Sequence, residues 1–372
     1  MAAGGRALPV SHSEDVRAAE RQDFLHAAGW GDAAIAAFPG DASTRRYFRL
    51  EKAGVRAILM DAPAAAETPP APDNASPAER QKLGYNAVAR LAGNNVAAFA
   101  GIANALTGRG FSAPRILAAD LERGLLVIED LGDALYARAI SAGAHEGTLY
   151  ASAVDTLAAL YRCSFPENFD AFGRTWRVHA YDRTALLAET GLFLDWYLPR
   201  FAGRPSDDFR ADWEGAWQTA FGTLGAHAPG LALRDYHAEN LIWLPGREID
   251  NRTGLLDFQD ALFAHPAYDL VSLIEDARRD VAPDLAEPLK ARFFKAAGLT
   301  DRPAFDTAYA VLGAQRNAKI LGIFVRLAKR DGKTRYLDLI PRVQAHFLRD
   351  LAHPALQGVA SLVRTMIAAG KG

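Results

Sequence analysis

Two short apolar runs, Leu231-Ala232-Leu233 and Leu241-Ile242-Trp243-Leu244, enclose the polar segment Arg234-Asp235-Tyr236-His237-Ala238-Glu239-Asn240, and a third, Gly254-Leu255-Leu256, runs into Asp257. That order predicts a polar loop held between strands, with an acid at the end of a hairpin. A carboxylate placed to receive a hydroxyl proton, an amide five residues later and a second carboxylate beyond a hairpin are the parts of a phosphoryl-transfer site. Such transfer is loose, so positioning and charge neutralisation matter more than strong proton abstraction. Asp235 is read as the catalytic base, or the group that aligns the acceptor hydroxyl. Asn240 and Asp257 suit Mg²⁺, which prefers hard oxygen ligands and keeps several waters. The bland alternative for Asp235 is a helix or turn cap.

His237 is read as a brace for the loop backbone rather than a metal ligand. A dinuclear metal centre built on Asp235, His237, Asp257 and His265 is the competing arrangement, but the chain lacks the further His-bearing loops it needs. Asp269, before an apolar helix, is read as structural. It is expected to cap that helix, and a bond to the amides of the Asp235 loop is compatible with capping.

The chain has 372 residues, half of them hydrophobic, and a formal net charge of -2, so it should fold as a globular protein, with two lobes. Near-neutral charge argues against bulk nucleic-acid binding. The one cysteine, Cys163, lies in an apolar helical pattern and is expected to be core, and no disulfide can form within one chain. No apolar run reaches the length of a membrane span and no signal-type apolar segment opens the chain, so a cytoplasmic location is expected.

Periodicity predicts helices over 14–28 and 30–38, strands over 45–50 and 55–60, and a helical pattern from Glu79 to about Leu106. A further hairpin joins 115–119 to 125–128. Residues 62–78, rich in Ala and Pro, read as a mobile surface loop. Beyond Asp133 the pattern is helical, at 145–162, 183–198, 207–225, 268–279, 285–296 and 304–330, with weaker segments at 336–350 and 355–369. This predicts an α+β, bilobal, protein-kinase-like fold: a small β-rich N-lobe over 1–130 that binds nucleotide, and a large, mostly helical C-lobe over 131–372 for catalysis and substrate.

The order of Asp235, His237, Asn240 and the later Asp257 resembles the Asp-x-His-x-x-Asn loop and following Asp of the aminoglycoside phosphotransferase family. The resemblance implies transfer of a phosphoryl group from a nucleoside triphosphate, ATP, to a small-molecule hydroxyl, with Mg²⁺. Longer strings are similar to one branch, the anomeric sugar kinases acting on N-acetylmuramate and N-acetylglucosamine in peptidoglycan recycling. They are Gly40-Asp41-Ala42-Ser43-x-Arg45-Arg46-Tyr47, Leu59-Met60-Asp61-Ala62-Pro63, Leu192-Phe193-Leu194-Asp195-Trp196-Tyr197, Asp257-Phe258-Gln259-Asp260-Ala261 and Gln315-Arg316-x-x-Lys319-Ile320-Leu321-Gly322.

Two departures stand out. The strand that should end in a phosphate-binding lysine ends in Ile58-Leu59-Met60, and the stretch Asn94 to Leu106 has no acid to pair with one. The phosphates are therefore expected to meet loop amides at Ala42 to Thr44, including Ser43 and Thr44, together with Arg45 or Arg46. Glu129 to Leu131, at the seam between the halves, is expected to meet the adenine edge through its backbone. Glu189, Asp195, Arg316 and Lys319 are the candidates for the sugar. An aminoglycoside site wants carboxylates and a choline site an aromatic cage, whereas Arg316, Lys319, Arg326 and Arg330 make the late helix basic, which disfavours both. A non-catalytic pseudokinase is disfavoured by the intact Asp235, Asn240 and Asp257.

Overall fold

A strand forms where a second helix is expected. In the computed structural model, which describes residues 10–39, 44–64, 68–225, 228–248 and 251–369, the helix α1 (Val10–Ala27) is followed by β1 (Ala34–Ala37). Gly29 and Gly31 on one side and Pro39 on the other leave too few residues for a stable helix. The Ala-Ile-Ala-Ala segment instead satisfies its main chain along the edge of β2 (Arg46–Lys52), with Ala34 opposite Glu51 and Ala37 opposite Phe48. β3 (Val55–Asp61) turns back on β2 at Ala53-Gly54, both with positive φ.

The long helical pattern from Glu79 is broken into α2 (Pro77–Leu83), α3 (Tyr85–Val88) and α4 (Val96–Thr107). Gly84, at φ 99°, ends α2, and Gly93, at φ 58°, precedes α4. A capping box between Ser76 and Glu79 starts α2, so the described part of the 62–78 segment ends in a fixed helix start. β4 (Ile116–Asp120) and β5 (Leu125–Glu129) complete a five-stranded antiparallel sheet in the order β1-β2-β3-β5-β4. Strand alternation gives it two faces. The outer face packs Leu50, Ala57, Leu59, Leu125 and Val127 against Phe24 and Leu25 of α1. The inner face turns Tyr47, Met60, Leu126 and Ile128 toward the main core.

The rest is helical apart from short hairpins: α5 (Tyr136–Ser141), α6 (Glu146–Arg162), then β6 (Asn168–Ala171) and β7 (Arg174–Arg177), a hairpin the helical reading misses. Cys163 caps α6 and is only half-buried, not core. The expected helix 183–198 is three pieces, α7 (Arg183–Leu192), a π turn at Phe193–Tyr197 and α8 (Leu198–Phe201), followed by α9 (Asp207–Phe221). Strands β8 (Gly230–Ala232), β9 (Leu241–Trp243), β10 (Thr253–Leu255) and β11 (Leu262–Ala264) pair as β8 with β11 and β9 with β10. α10 (Ala267–Ile274), α11 (Ala286–Ala296), α12 (Arg302–Asp331), α13 (Ile340–Asp350) and α14 (Gln357–Ala369) follow. α12 lies directly on α7, and only glycine fits at Gly322, where a Cβ would sit 2.3 Å from the Leu192 carbonyl oxygen. α10 stops at Ile274 rather than near 279, because the residues beyond it are drawn off to the loop around Asp235. No helix of the described residues is long and apolar enough to cross a membrane.

Candidate active site

The pairings β8–β11 and β9–β10 pin both ends of the segment 233–240. Asp269, inside α10, accepts the main-chain amides of Leu233 at 2.6 Å and Arg234 at 2.9 Å. The N-cap position of α10 belongs to Pro266, so Asp269 holds the loop and does not cap the helix. Burial pushes the Asp269 carboxyl up to about 7, against the pull of those two amides. Within the loop His237 N–H donates to the Asp235 carbonyl at 3.1 Å, and Asn240 Nδ2 donates to the same oxygen at 3.0 Å. His237 is buried, with Nε2 3.0 Å from Arg278 Nη1 and Nδ1 3.3 Å from the Glu239 amide. Burial and the Arg278 charge lower its pKa to about 4, and the imidazole is neutral at pH 7. Ala238 N–H reaches Asp276 at 3.3 Å. The loop is thus held by α10 and the segment just after it.

Arg234 has the left-handed φ of 72° that turns the chain just before Asp235. Its guanidinium is buried, donating to the Ala89 carbonyl at 3.1 Å and forming a short ion pair with Glu189. Tyr181 OH, Gln315 Nε2 at 3.0 Å and Lys319 Nζ at 3.5 Å also face the Glu189 carboxylate. Glu189 has no exposed surface. It is placed to support the loop, not to touch a sugar. Lys319 also donates to Tyr268 OH at 3.0 Å. Burial lowers its pKa, but Glu189, Tyr268 and Asp235 together outweigh this and leave the ammonium above its ordinary value.

Asp235 itself is half-buried, and its carboxylate makes no hydrogen bond or ion pair among the described residues. Burial raises its pKa, but the charges of Lys319, Arg316 and Arg234, joined by His237 once it is protonated, outweigh that and hold it below its ordinary value. Arg316 is buried too, and its Nε and Nη1 have no hydrogen-bond partner among the described residues.

Leu256 N–H donates to the Asn240 carbonyl at 3.0 Å, which sets Asp257 beside the loop. Asp257 has φ 56°, and its Oδ1 accepts from Gln259 Nε2 at 3.0 Å and Arg45 Nη1 at 3.1 Å. Asp257 Oδ2 and Asn240 Oδ1 have no partner among the described residues. Two such oxygens fit a hard cation that keeps waters and binds phosphate oxygens. No cluster of three His, Cys, Asp or Glu side chains that could hold a metal occurs among the described residues, which leaves the dinuclear arrangement without a site.

The other expected residues are scattered. Ser43 lies outside the described residues, and Thr44 Oγ1 donates to Asn94 Oδ1 at 3.1 Å. Arg45 and Arg46 point opposite ways: Arg46 is 55% exposed and paired to Glu14 of α1, on the outer face, so it does not join Arg45 at the cleft. The Glu129 carboxylate is taken by Arg115 at 3.1 Å and Arg247 at 2.9 Å, and its amide by the Arg115 carbonyl at 2.9 Å. Leu131, two residues on, has no main-chain hydrogen bond among the described residues. Asp195 is exposed and paired to Arg210 at 2.8 Å. It lines a cavity of about 740 Å³ with Trp196, Arg200, Val325 and Lys329, which none of Asp235, Asn240 or Asp257 lines. Sequence reading missed Arg234, Arg49 and Asp260. Arg49 ties β2 to Asp130 and Asp133 at the seam between the lobes, and Asp260 accepts Ala92 N–H at 2.6 Å. For Arg234 the signal was its place immediately before Asp235.

A small antiparallel sheet set over a helical lobe, with an unengaged aspartate beside two free oxygens, defines a kinase-like phosphotransferase. The chain belongs to the phosphotransferase enzyme family, whose model matches residues 34–306. It is 47% identical to the N-acetylmuramate/N-acetylglucosamine kinase of Caulobacter vibrioides over 91% of this chain and 94% of that one. It is 31% identical to the protein of the same name from Pseudomonas putida over 87% of this chain and 86% of that one. Among solved structures, a choline/ethanolamine kinase family protein from Mesorhizobium loti shares the fold, with a TM-score of 0.56 at 16% identity over 95% of this chain and 99% of that one.

Proposed function

We propose that this protein is an Mg²⁺-dependent kinase that transfers the γ-phosphate of ATP to the anomeric hydroxyl of N-acetylmuramate and N-acetylglucosamine, in the cytoplasm, as part of cell-wall recycling. The observation that carries the reading is the Asp235 carboxylate, which is ionised, unengaged and held on a braced loop beside Asn240 and Asp257. The names of the two relatives supply the sugar. Asp235 accepts the proton of the acceptor hydroxyl as its oxygen bonds to phosphorus and ADP leaves. Asn240 Oδ1 and Asp257 Oδ2 are the oxygens that would hold Mg²⁺, whose charge offsets that of the phosphates. Residues 1–130 form the nucleotide lobe in this reading, with Thr44 and Arg45 toward the phosphates and the free main chain of Leu131 at the adenine edge. Residues 131–372 supply the loop and the acceptor site.

The test is a radiolabelled-ATP screen over amino sugars, aminoglycosides and choline. Label should move to the two N-acetyl sugars, and mild acid should release it, as expected of a glycosyl phosphate. Transfer only to an aminoglycoside or to choline, or an acid-stable product, overturns the assignment.

A further inference from the structure

β3 offers no lysine to the cleft. Its inner-face residue near the end is Met60, paired in register with Tyr47 of β2, and the last residue, Asp61, is on the opposite face. There Asp61 is neutralised by Arg17 Nε at 2.8 Å and Arg21 Nη1 at 2.8 Å, both from α1. α4 carries no acid, so a lysine–glutamate pair is missing on both sides.

Alternation along β2 supplies a cation from the neighbouring strand. Arg45 is the residue just before β2, and its bond to Asp257 takes it away from the outer face that Arg46 and Asp61 share. Its side chain is only 11% exposed and crosses from the small lobe to Asp257 Oδ1, 212 positions away in the chain. Arg46, on the other face, goes to Glu14 instead. Arg45 is therefore a guanidinium fixed beside the carboxylate that would hold the metal. A planar fork of donors matches phosphate oxygens well.

We infer that Arg45 takes the place of the strand lysine as the cation that holds the nucleotide's terminal phosphates, and that Asp257 is its resting partner, exchanged for phosphate when the metal-bound nucleotide enters. This rests on the phosphotransfer reading above. Asp257 would then be occupied by Arg45 before the nucleotide arrives and by the cation afterwards, so the same ion pair links the two lobes and keeps an acid from standing uncompensated.

Calorimetric binding of Mg-ATP, Mg-ADP, AMP and adenosine to the full chain tests it with R45M, R45Q and the control R46M. R45M should weaken Mg-ATP about 10- to 100-fold, the loss of a charged hydrogen bond. The loss should shrink from ATP to ADP and vanish for adenosine. R46M should bind as the unaltered chain does, and R45Q carries the same test if R45M does not fold. Mn²⁺ titrated without nucleotide should bind R45M at least as well, because Asp257 loses a competitor. Unchanged Mg-ATP binding in the Arg45 variants overturns the inference, and so does an equal loss for adenosine, which would mark a general collapse of the cleft. An unaltered chain that binds Mg-ATP but labels no sugar would instead sink the sugar-kinase reading and leave the role of Arg45 standing.

Discussion

Arg234 and Glu189 form a fully buried ion pair one residue before the unengaged carboxylate of Asp235. The pair fixes the left-handed turn at Arg234, and Lys319 adds a second positive charge to the same carboxylate. Removing Glu189 therefore strands two buried cations.

E189Q should destabilise the fold by about 3–5 kcal/mol, the usual cost of breaking a buried pair from one side. D195N, at an exposed pair with Arg210, should cost about 0–1 kcal/mol. Urea denaturation of both variants checks the contrast. Equal small effects would mean that the buried network does not hold the loop.

D235N should leave Mg-ATP binding intact while lowering kcat by about 100-fold or more, the typical loss for an aligning base. D257A should instead lose metal-dependent nucleotide binding, since it removes the carboxylate oxygen that Arg45 and Gln259 leave open for the cation. Calorimetry beside steady-state kinetics separates the two. A D235N enzyme with near-normal kcat would remove Asp235 from the reaction.

Two buried groups of the loop should pull stability in opposite directions with pH. Asp269 is raised to about 7 by burial, so the folded chain holds its proton between roughly pH 4 and 7 while the unfolded chain releases it. Its contribution is present at low pH and lost as pH rises through that window. His237 is lowered to about 4, chiefly by burial, so its contribution is present above about pH 6.5 and lost as pH falls toward 4. The two slopes oppose each other in the unaltered protein. D269N should make stability rise with pH between 4 and 6.5, and H237Q should make it fall, as read from denaturation midpoints across the range. Parallel slopes in the two variants would contradict the assignments.

The loop, its flanking strands and the long helices were legible because each depends on local order: apolar periodicity, a polar break and an acid after a short run. Asp269 was legible only in part, since its bonds to Leu233 and Arg234 cross 36 and 35 positions that no local pattern records. β1 was missed because Ala-Ile-Ala-Ala carries little preference of its own and becomes a strand only through the edge of β2. Arg45 and Arg46 looked equivalent as neighbours. Strand alternation separates them, sending one to Asp257 and the other to Glu14. Glu189 was a candidate for the sugar, and it is the packing of α7 against α12 that buries it.

The choice between the two sugars should rest on Arg316 rather than Lys319. N-acetylmuramate differs from N-acetylglucosamine by a lactyl carboxylate, which needs a cation in a partly dry site. Arg316 and Lys319 lie three residues apart on α12, on one face, and both act on the Asp235 carboxylate. Lys319 is already committed to Glu189 and Tyr268, whereas two nitrogens of Arg316 have no hydrogen-bond partner among the described residues. R316M should raise KM for N-acetylmuramate about 10- to 100-fold, as for a lost charged hydrogen bond, and change N-acetylglucosamine little. K319M should hurt both sugars alike and lower the melting temperature, because it unbalances the Glu189 network. Steady-state kinetics on the two sugars, with melting curves alongside, decides it. Equal losses on both sugars in R316M would place Arg316 in the scaffold, and a selective loss in K319M would reverse the two roles.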